Sequence, residues 1–314
     1  MRVTLCAATY QRPEGLRQLL KAVAELRLED CGAVDVAVVI VDNTSGGDAA
    51  EIVQHFAENY PWPLHYLNEK RRGITFARNA ALAKAGAMVS DAVVFIDDDE
   101  YPDSRWLEAL LRRWHESGAA AVLGAVQPVF PAGTPDWIVS GRFFESHSFE
   151  DGASLDDAHT ANVLIDLKVL RQHDLVFDHR YALTGGEDTM LFRGLLDAGE
   201  RIVYAADAVV FETVPRSRAS LGWLMKRWYR TGNIEAALFI RGDEGSLRLR
   251  TGNLLRGLLR VGAGSSLFLA NLLVLGFGRR ERMVRPLYTL CRGFGILAST
   301  LGRDYREYQE VHGT

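Results

Sequence analysis

Short apolar runs alternate with amphipathic stretches through the first two thirds of the chain. Residues 3–8 and 36–41 are nearly continuous apolar runs, the pattern of strands buried on both faces. Between them Leu16, Leu19, Leu20 and Val23 recur at helical spacing behind Pro13, a residue suited to the first helical position. Residues 64–67 predict a third, shorter strand. Asp48 is placed to cap a helix whose inner face is Ile52, Val53 and Phe56. Gly73 and Thr75 precede an Ala-rich helix over 76–85, and 93–96 predicts a fourth buried strand. Ser104 is placed to cap a helix carrying Trp106, Leu107, Leu110, Leu111 and Trp114. Strands alternating with helices predict an α/β protein with a doubly wound, mostly parallel sheet.

The second half changes texture. Residues 120–130 predict a strand that ends at prolines, and 131–160, rich in Gly, Asp, Ser and His, predict a long loop. Loops of that length inside a domain are often binding loops or lids. Residues 162–165 resume a strand. Gly185-Gly186-Glu187-Asp188 then opens a helix with Met190, Leu191, Leu195 and Leu196 inside, ended by Gly199. A strand over 202–211 follows, then a helix from about Ser220 with Trp223, Leu224, Arg227 and Trp228.

Residues 261–278 carry no charge, with Arg250, Arg256 and Arg260 before them and Arg279, Arg280, Arg282 and Arg285 after. A spanning helix needs about 20 apolar residues, and Gly262, Gly264, Ser265, Ser266 and Asn271 interrupt this one. Arginine on both sides gives no orientation. The expectation is helices lying in the interface of the cytoplasmic leaflet, held by apolar faces and by Arg on anionic lipid. A helical appendage or a dimer contact is the plainer alternative.

With 314 residues and 48% apolar content, the chain can hold one large α/β domain plus an appendage. The expected division is 1–115, 116–240 and a helical region 241–314. Net charge is −4, so no global basic field suggests a nucleic-acid partner. Yet residues 241–303 hold eleven Arg, no Lys and three acids, leaving the first 240 residues strongly acidic. Two environments are implied. Cys6, Cys31 and Cys291 lie far apart, which fits a reducing compartment and neither a disulfide framework nor a zinc site. Met1 to Leu5 runs directly into a strand pattern, so no secretory leader is expected.

Candidate chemistry sits at the strand exits. Val93-Val94-Phe95-Ile96 delivers Asp97-Asp98-Asp99-Glu100 to one sheet edge, where open α/β sheets bind ligands. Thr9, Arg12 and Asp42 leave earlier strands at that same edge. Acids packed so closely repel one another, and an oxygen-only set suits Mg²⁺ or Mn²⁺, an ion that most often holds substrate phosphates. A solvated acidic turn is the plainer reading of the same four residues. No glycine-rich phosphate loop follows the first strand, which argues against a dinucleotide site. Glu187-Asp188 alone could cap a helix, and Arg227 alone could be a surface arginine lying on Trp228. His159, near the long loop, is a candidate for a further metal ligand. Tyr10, Trp106 and Trp114 suit a core better than a ligand platform.

Taken in order, Ala8-Thr9-Tyr10-Gln11-Arg12-Pro13, Val41-Asp42-Asn43, Gly73 with Ala77-Arg78-Asn79, Asp97-Asp98-Asp99, Gly186-Glu187-Asp188 and Arg227-Trp228 resemble the family 2 glycosyltransferases. The stretch 185–230, with Val214-Pro215-Arg216, looks most like bacterial exopolysaccharide transferases of the succinoglycan type. The resemblance implies a nucleotide-sugar-binding, Rossmann-like glycosyltransferase A-type fold, a nucleoside diphosphate sugar donor (usually of uridine) and inversion at the anomeric carbon. It implies Asp42 facing the base, Thr9 and Arg12 beside the nucleoside, Arg78 near base or phosphates, and Asp97 at the ribose with Asp98 next to it. Asp99 would bind Mn²⁺ or Mg²⁺, Asp188 would be the catalytic base with Glu187 beside it, and Arg227 would reach the diphosphate. Trp137, Phe143 and Phe144 in the long loop are then candidates for acceptor contact. Processive members carry Gln-x-x-Arg-Trp; Leu224 stands in the Gln position here, which implies transfer of a single sugar. A membrane-associated tail suits an acceptor on a polyprenyl diphosphate lipid at the cytoplasmic face of the inner membrane, the protein being peripheral or monotopic. A nucleotidyltransferase would want a Gly-rich, Lys-containing loop after the first strand. A non-catalytic nucleotide-sugar-binding subunit would not need Asp99 and Asp188.

Overall fold

The computed structural model describes residues 1–241, 247–275, 280–303 and 305. Its centre is a nine-stranded sheet of β1 (Arg2–Thr9), β2 (Asp35–Asp42), β3 (Leu64–Asn68), β4 (Ala92–Ile96), β5 (Glu100–Pro102), β6 (Ala121–Val129), β7 (Ser154–Leu155), β8 (Asn162–Asp166) and β9 (Ile202–Thr213). Strand order is β3-β2-β1-β4-β8-β6-β9-β5, with β7 paired to β9. The first four strands in space are parallel, with Thr9 opposite Asp42. β8 then runs antiparallel between β4 and β6, and β6 pairs with β9 in parallel. The sheet is therefore mixed, more so than strand–helix alternation predicts, though most strands share one direction.

Helices α1 (Pro13–Ala24), α2 (Ala50–Ala57), α3 (Ile74–Ala87) and α4 (Trp106–Ser117) cover the sheet in two layers. One core packs Leu16, Leu19, Leu20, Trp106, Leu107 and Leu110 on one face. The other packs Ala77, Ala81 and Ala85 against Val39, Val93 and Phe95. The small residues of α3 bring it close to the strands. Two expected caps are corrected. The Asp42 carboxylate, not Asp48, receives the Ala49 N–H ahead of α2, at 2.8 Å. Asp103, not Ser104, accepts from the Arg105 N–H ahead of α4, at 2.9 Å. Asp42 reaches forward to Ala49 because the turn after it folds over, and Asp103 closes a local turn on the amide two residues ahead.

Where β6 and β9 fall out of register at Gly124, the buried Asn162 fills the gap. Its amide donates to the carbonyls of Ala125 and Ala208 and accepts from Trp106 Nε1 at 2.7 Å. The expected loop over 131–160 contains α5 (Asp136–Gly141) and β7, too short to carry a periodic signal. α6 (Leu167–Gln172), capped by the Asp166 carboxylate, precedes α7 (Glu187–Asp197).

The chain ends in α8 (Leu221–Arg241), α9 (Leu247–Leu275) and α10 (Arg280–Thr300). α10 packs against both α8 and α9 and reaches α5, so residues beyond 240 share a core with the segment before them. Ile138, Phe144, Val214, Leu224, Trp228, Val284 and Cys291 form that core. Of the glycines that interrupt the uncharged stretch, Gly262 meets nothing within 4 Å, whereas Gly264 is a packing surface, as is Gly295 of α10. A Cβ on Gly264 would lie 2.7 Å from the Leu290 nitrogen, and one on Gly295 would overlap the Tyr229 carbonyl oxygen. Among the described residues no helix is long and apolar enough to cross a membrane; the end of the uncharged stretch, 276–278, lies outside them.

Candidate active site

The carboxyl ends of β1 and β4, the start of α7 and the inner face of α8 enclose a cavity of about 510 Å³. Thr9, Arg12, Arg78, Asp97, Asp98, Asp99, Glu187, Asp188 and Arg227 all line it, so residues spread over most of the catalytic half converge at one place.

The acidic strand end is tied down by arginines. Thr9 Oγ1 donates to Asp98 Oδ2 at 2.8 Å, and Arg12 Nη1 donates to Asp98 Oδ1 at 2.8 Å and Asp99 Oδ2 at 3.0 Å. Arg218 Nη1 reaches the same Asp99 oxygen at 3.1 Å and Glu212 at 3.4 Å. Burial pushes the Asp98 carboxyl up to about 6, Arg12 pulling against it. Burial, then the charge of Asp99, raises Glu212 above the ordinary carboxylate range. Both shifts are led by burial, with neighbouring Asp99 adding to them and the arginines opposing. Glu212 and Arg218 were not legible in the sequence. They lie more than a hundred residues past the acidic triplet, and only the β5–β9 pairing, with Glu100 opposite Glu212, brings them back.

The second acidic pair is positioned by two glycines. Gly185 and Gly186 have φ of 81° and 89°, which a side chain disfavours. A Cβ on Gly186 would also lie 2.9 Å from Ile234 Cγ2 of α8. The turn sends Glu187 inward and leaves Asp188 half-exposed at the cavity. Arg78 bridges the two acidic groups, pairing with Glu187 and, at 3.2 Å, with Asp97. Burial pushes Glu187 up to about 7, against Arg78 and reinforced by Asp188. Glu187 Oε2 and Thr160 Oγ1, both at the cavity wall, are buried without a hydrogen-bond partner. A polar ligand would satisfy them. His159 lies here too, its pKa lowered by burial against the pull of Asp188 and Asp97.

Arg227 is held differently. Its guanidinium lies 5.4 Å from the Trp223 ring centroid and 5.7 Å from that of Phe144. Among the described residues it makes no hydrogen bond or ion pair, although it faces the cavity. Burial lowers its pKa, with Glu212 opposing. A cation stacked on aromatics and lacking an anionic partner is prepared for one.

Four expected positions are corrected. Asp42 is fully buried and does not line the cavity. Its oxygens accept from the Thr44 and Ala49 amides and, at 3.0 Å, from Tyr66 Oη. Neighbouring Asn43 takes the wall instead; its side chain binds the Glu69 and Arg71 carbonyls and the Gly73 N–H. Trp137, Phe143 and Phe144 belong to the aromatic cluster under α8: Phe144 stacks on Trp223 at 5.4 Å and Phe143 meets Trp228 edge-on. Expected to contact the acceptor, they serve packing.

The oxygen-only set fits a hard divalent cation. No three His, Cys, Asp or Glu among the described residues are arranged to hold an ion unaided. An ion held by one or two carboxylates plus substrate phosphates needs no such cluster.

The model of the family described as "Glycosyl transferase family 2" matches residues 4–174. The chain belongs to this family. Succinoglycan biosynthesis protein ExoM of Rhizobium meliloti (strain 1021) is 30% identical over 309 residues, covering 98% of this chain and 96% of that protein. This family 2 glycosyltransferase is thus similar along its whole length to a protein of exopolysaccharide synthesis. Among solved structures, mannosyltransferase PcManGT from Pyrobaculum calidifontis in complex with GDP-Man and Mn²⁺ superposes with a TM-score of 0.60 at 18% identity, covering 96% of this chain and 88% of that one. S. aureus TarS 1-349 in complex with UDP-GlcNAc gives 0.55 at 15% identity, covering 97% and 93%. Both likenesses support the glycosyltransferase A-type fold.

Proposed function

We propose that this glycosyltransferase moves one sugar from a nucleoside diphosphate sugar, a uridine diphosphate sugar in the first instance, to a lipid-linked oligosaccharide in cell-surface polysaccharide synthesis. The observation that carries it is the convergence of the Asp97–Asp99 triplet, Asp188 and the stacked Arg227 on one cavity. TarS with UDP-GlcNAc and the succinoglycan relative support the donor and pathway class.

In this reading the nucleoside lies between Thr9, Tyr10 and Asn43, with the ribose at Asp97 and the diphosphate toward Arg227. Asp99, assisted by Asp97, would hold Mn²⁺ or Mg²⁺, which supplies charge neutralisation of the leaving diphosphate. Arg227 takes up part of the negative charge that develops on the diphosphate as the anomeric C–O bond breaks. Asp188 accepts the proton of the acceptor hydroxyl as its oxygen attacks the opposite face, a contribution of about 10²–10⁴-fold. Attack opposite the leaving group inverts the anomeric carbon. Arg78 holds Glu187 and Asp97 and so fixes the walls on both sides of the sugar.

The exposed leucines of α9 and the arginines beside them support attachment to the cytoplasmic face of the inner membrane without spanning it. A thermal-shift screen of nucleoside diphosphate sugars with and without Mn²⁺ tests the donor. Stabilisation by at least one uridine diphosphate sugar, enhanced by Mn²⁺, is expected; no response to any nucleotide sugar refutes the reading. Sedimentation with anionic vesicles, weakened by salt, tests the attachment; protein that stays in the supernatant refutes it.

A further inference from the structure

α8, α9 and α10 meet around one carboxylate. Glu235 of α8 pairs with Arg256 of α9, with Arg260 of α9 at 3.6 Å and with Arg292 of α10 at 2.6 Å. Among the described residues, three guanidinium groups meet at this one carboxylate. Arg292 Nε is buried with no hydrogen-bond partner. Burial lowers the Arg260 pKa; Glu235 opposes this, and Arg292 and Arg256 add to it. A second anion beside Arg260 would relieve this crowding of like charge.

The cluster opens on a groove of about 400 Å³ between α9 and α10, where Leu255, Leu259 and Ala263 lie beside Arg256, Arg260 and Thr289. Leu255 and Leu259 are 61% and 64% exposed. The groove thus has a cationic end and an apolar wall. On α8, Glu235 directly follows Ile234, which lines the catalytic cavity. Arg227 lies eight residues earlier on the same helix, about 12 Å along its axis.

We propose that this groove seats the diphosphate end of the acceptor's lipid carrier, with phosphate oxygens on Arg260 and the Thr289 hydroxyl and the first isoprenoid units along Leu255 and Leu259. The inference rests on the lipid-linked acceptor proposed above. Charge complementarity selects this occupant. A second copy of the chain would bring the same excess of arginine against itself, and an apolar partner would leave the guanidinium groups unanswered. The carrier's saccharide would extend from here along α8 toward Asp188.

The test uses the full chain in mild detergent, saturated with UDP and Mn²⁺ so that the donor site is filled. Binding of farnesyl diphosphate, inorganic diphosphate and farnesol is measured by calorimetry. Farnesyl diphosphate should bind more tightly than either fragment. Arg260→Gln should weaken it by about ten-fold or more, with UDP affinity and transfer to a soluble saccharide unchanged. Leu259→Asn, at an exposed position, should weaken farnesyl diphosphate but leave inorganic diphosphate unchanged. If both variants bind farnesyl diphosphate as the native protein does, the inference is overturned even where lipid-linked acceptors are still used. If Arg260→Gln loses only binding to phosphatidylglycerol vesicles, the arginines serve the membrane surface at large and the carrier site is refuted. If the native enzyme transfers to soluble saccharides alone, it is the acceptor reading itself that fails.

Discussion

Replacing Asp188 by Asn separates chemistry from binding more cleanly than any other single change in the cavity. Asp188 sits in the first turn of α7 and accepts the Thr189 N–H at 2.8 Å. An Asn side-chain carbonyl can accept that same hydrogen bond, so the turn made by Gly185 and Gly186 is retained. A net change of no more than about 1 kcal/mol is expected there, which for a chain this size shifts Tm by only about 2–4 °C. What Asn cannot do is take a proton. The loss of a general base costs about 10²–10⁴-fold in turnover, equivalent to about 3–5 kcal/mol of transition-state stabilisation. Donor affinity should stay within a few-fold, because the diphosphate and nucleoside contacts lie at the other wall. The assay is single-turnover transfer at saturating donor and acceptor, with donor affinity from calorimetry and Tm on the same preparation. Turnover within ten-fold of native, with fold and affinity intact, would remove Asp188 from the chemistry. Loss of affinity with turnover preserved at saturation would make it a binding residue.

Asp99→Asn should abolish the Mn²⁺-dependent part of the Tm rise given by UDP; an undiminished rise would return the triplet to a solvated turn locked by Arg12 and Arg218. Glu187 and Asp98 are both raised above their ordinary values by burial, so each is harder to ionise folded than unfolded. Stability of the ligand-free protein should fall as pH rises from about 4.5 toward about 7. Glu187→Gln should match the native Tm at the acidic end of that range and exceed it at the neutral end; parallel curves across the range would contradict this. Gly186→Ala meets both a left-handed φ and the Ile234 side chain, and should cost about 1–3 kcal/mol with loss of turnover; a denaturation midpoint equal to native would show that the turn tolerates a side chain.

The sequence alone determined whatever is local. Apolar runs placed β1, β2, β4 and β9, helical spacing placed α1 and α4, and paired glycines marked the turn before Glu187 and Asp188. The ordered motifs also carried the family and most of the cavity wall, since each motif sits at the end of its own strand or the start of its own helix. Tertiary structure decided which side chains meet. β8 enters antiparallel between β4 and β6, and β9 returns beside β6, so Glu212 and Arg218 face the acidic triplet. That pairing depends on strand order, which has no trace in local periodicity. The same limit explains the misplaced residues. Asp42 turned out to bind the amides of the turn that follows it, a contact set by how residues 43–49 fold back. Trp137, Phe143 and Phe144, expected at the acceptor, pack under α8 instead. In the tail, glycine and serine interrupted an apolar stretch in one dimension. In three, Gly264 is where α9 meets α10, because only a residue without a Cβ lets two helix backbones come that near.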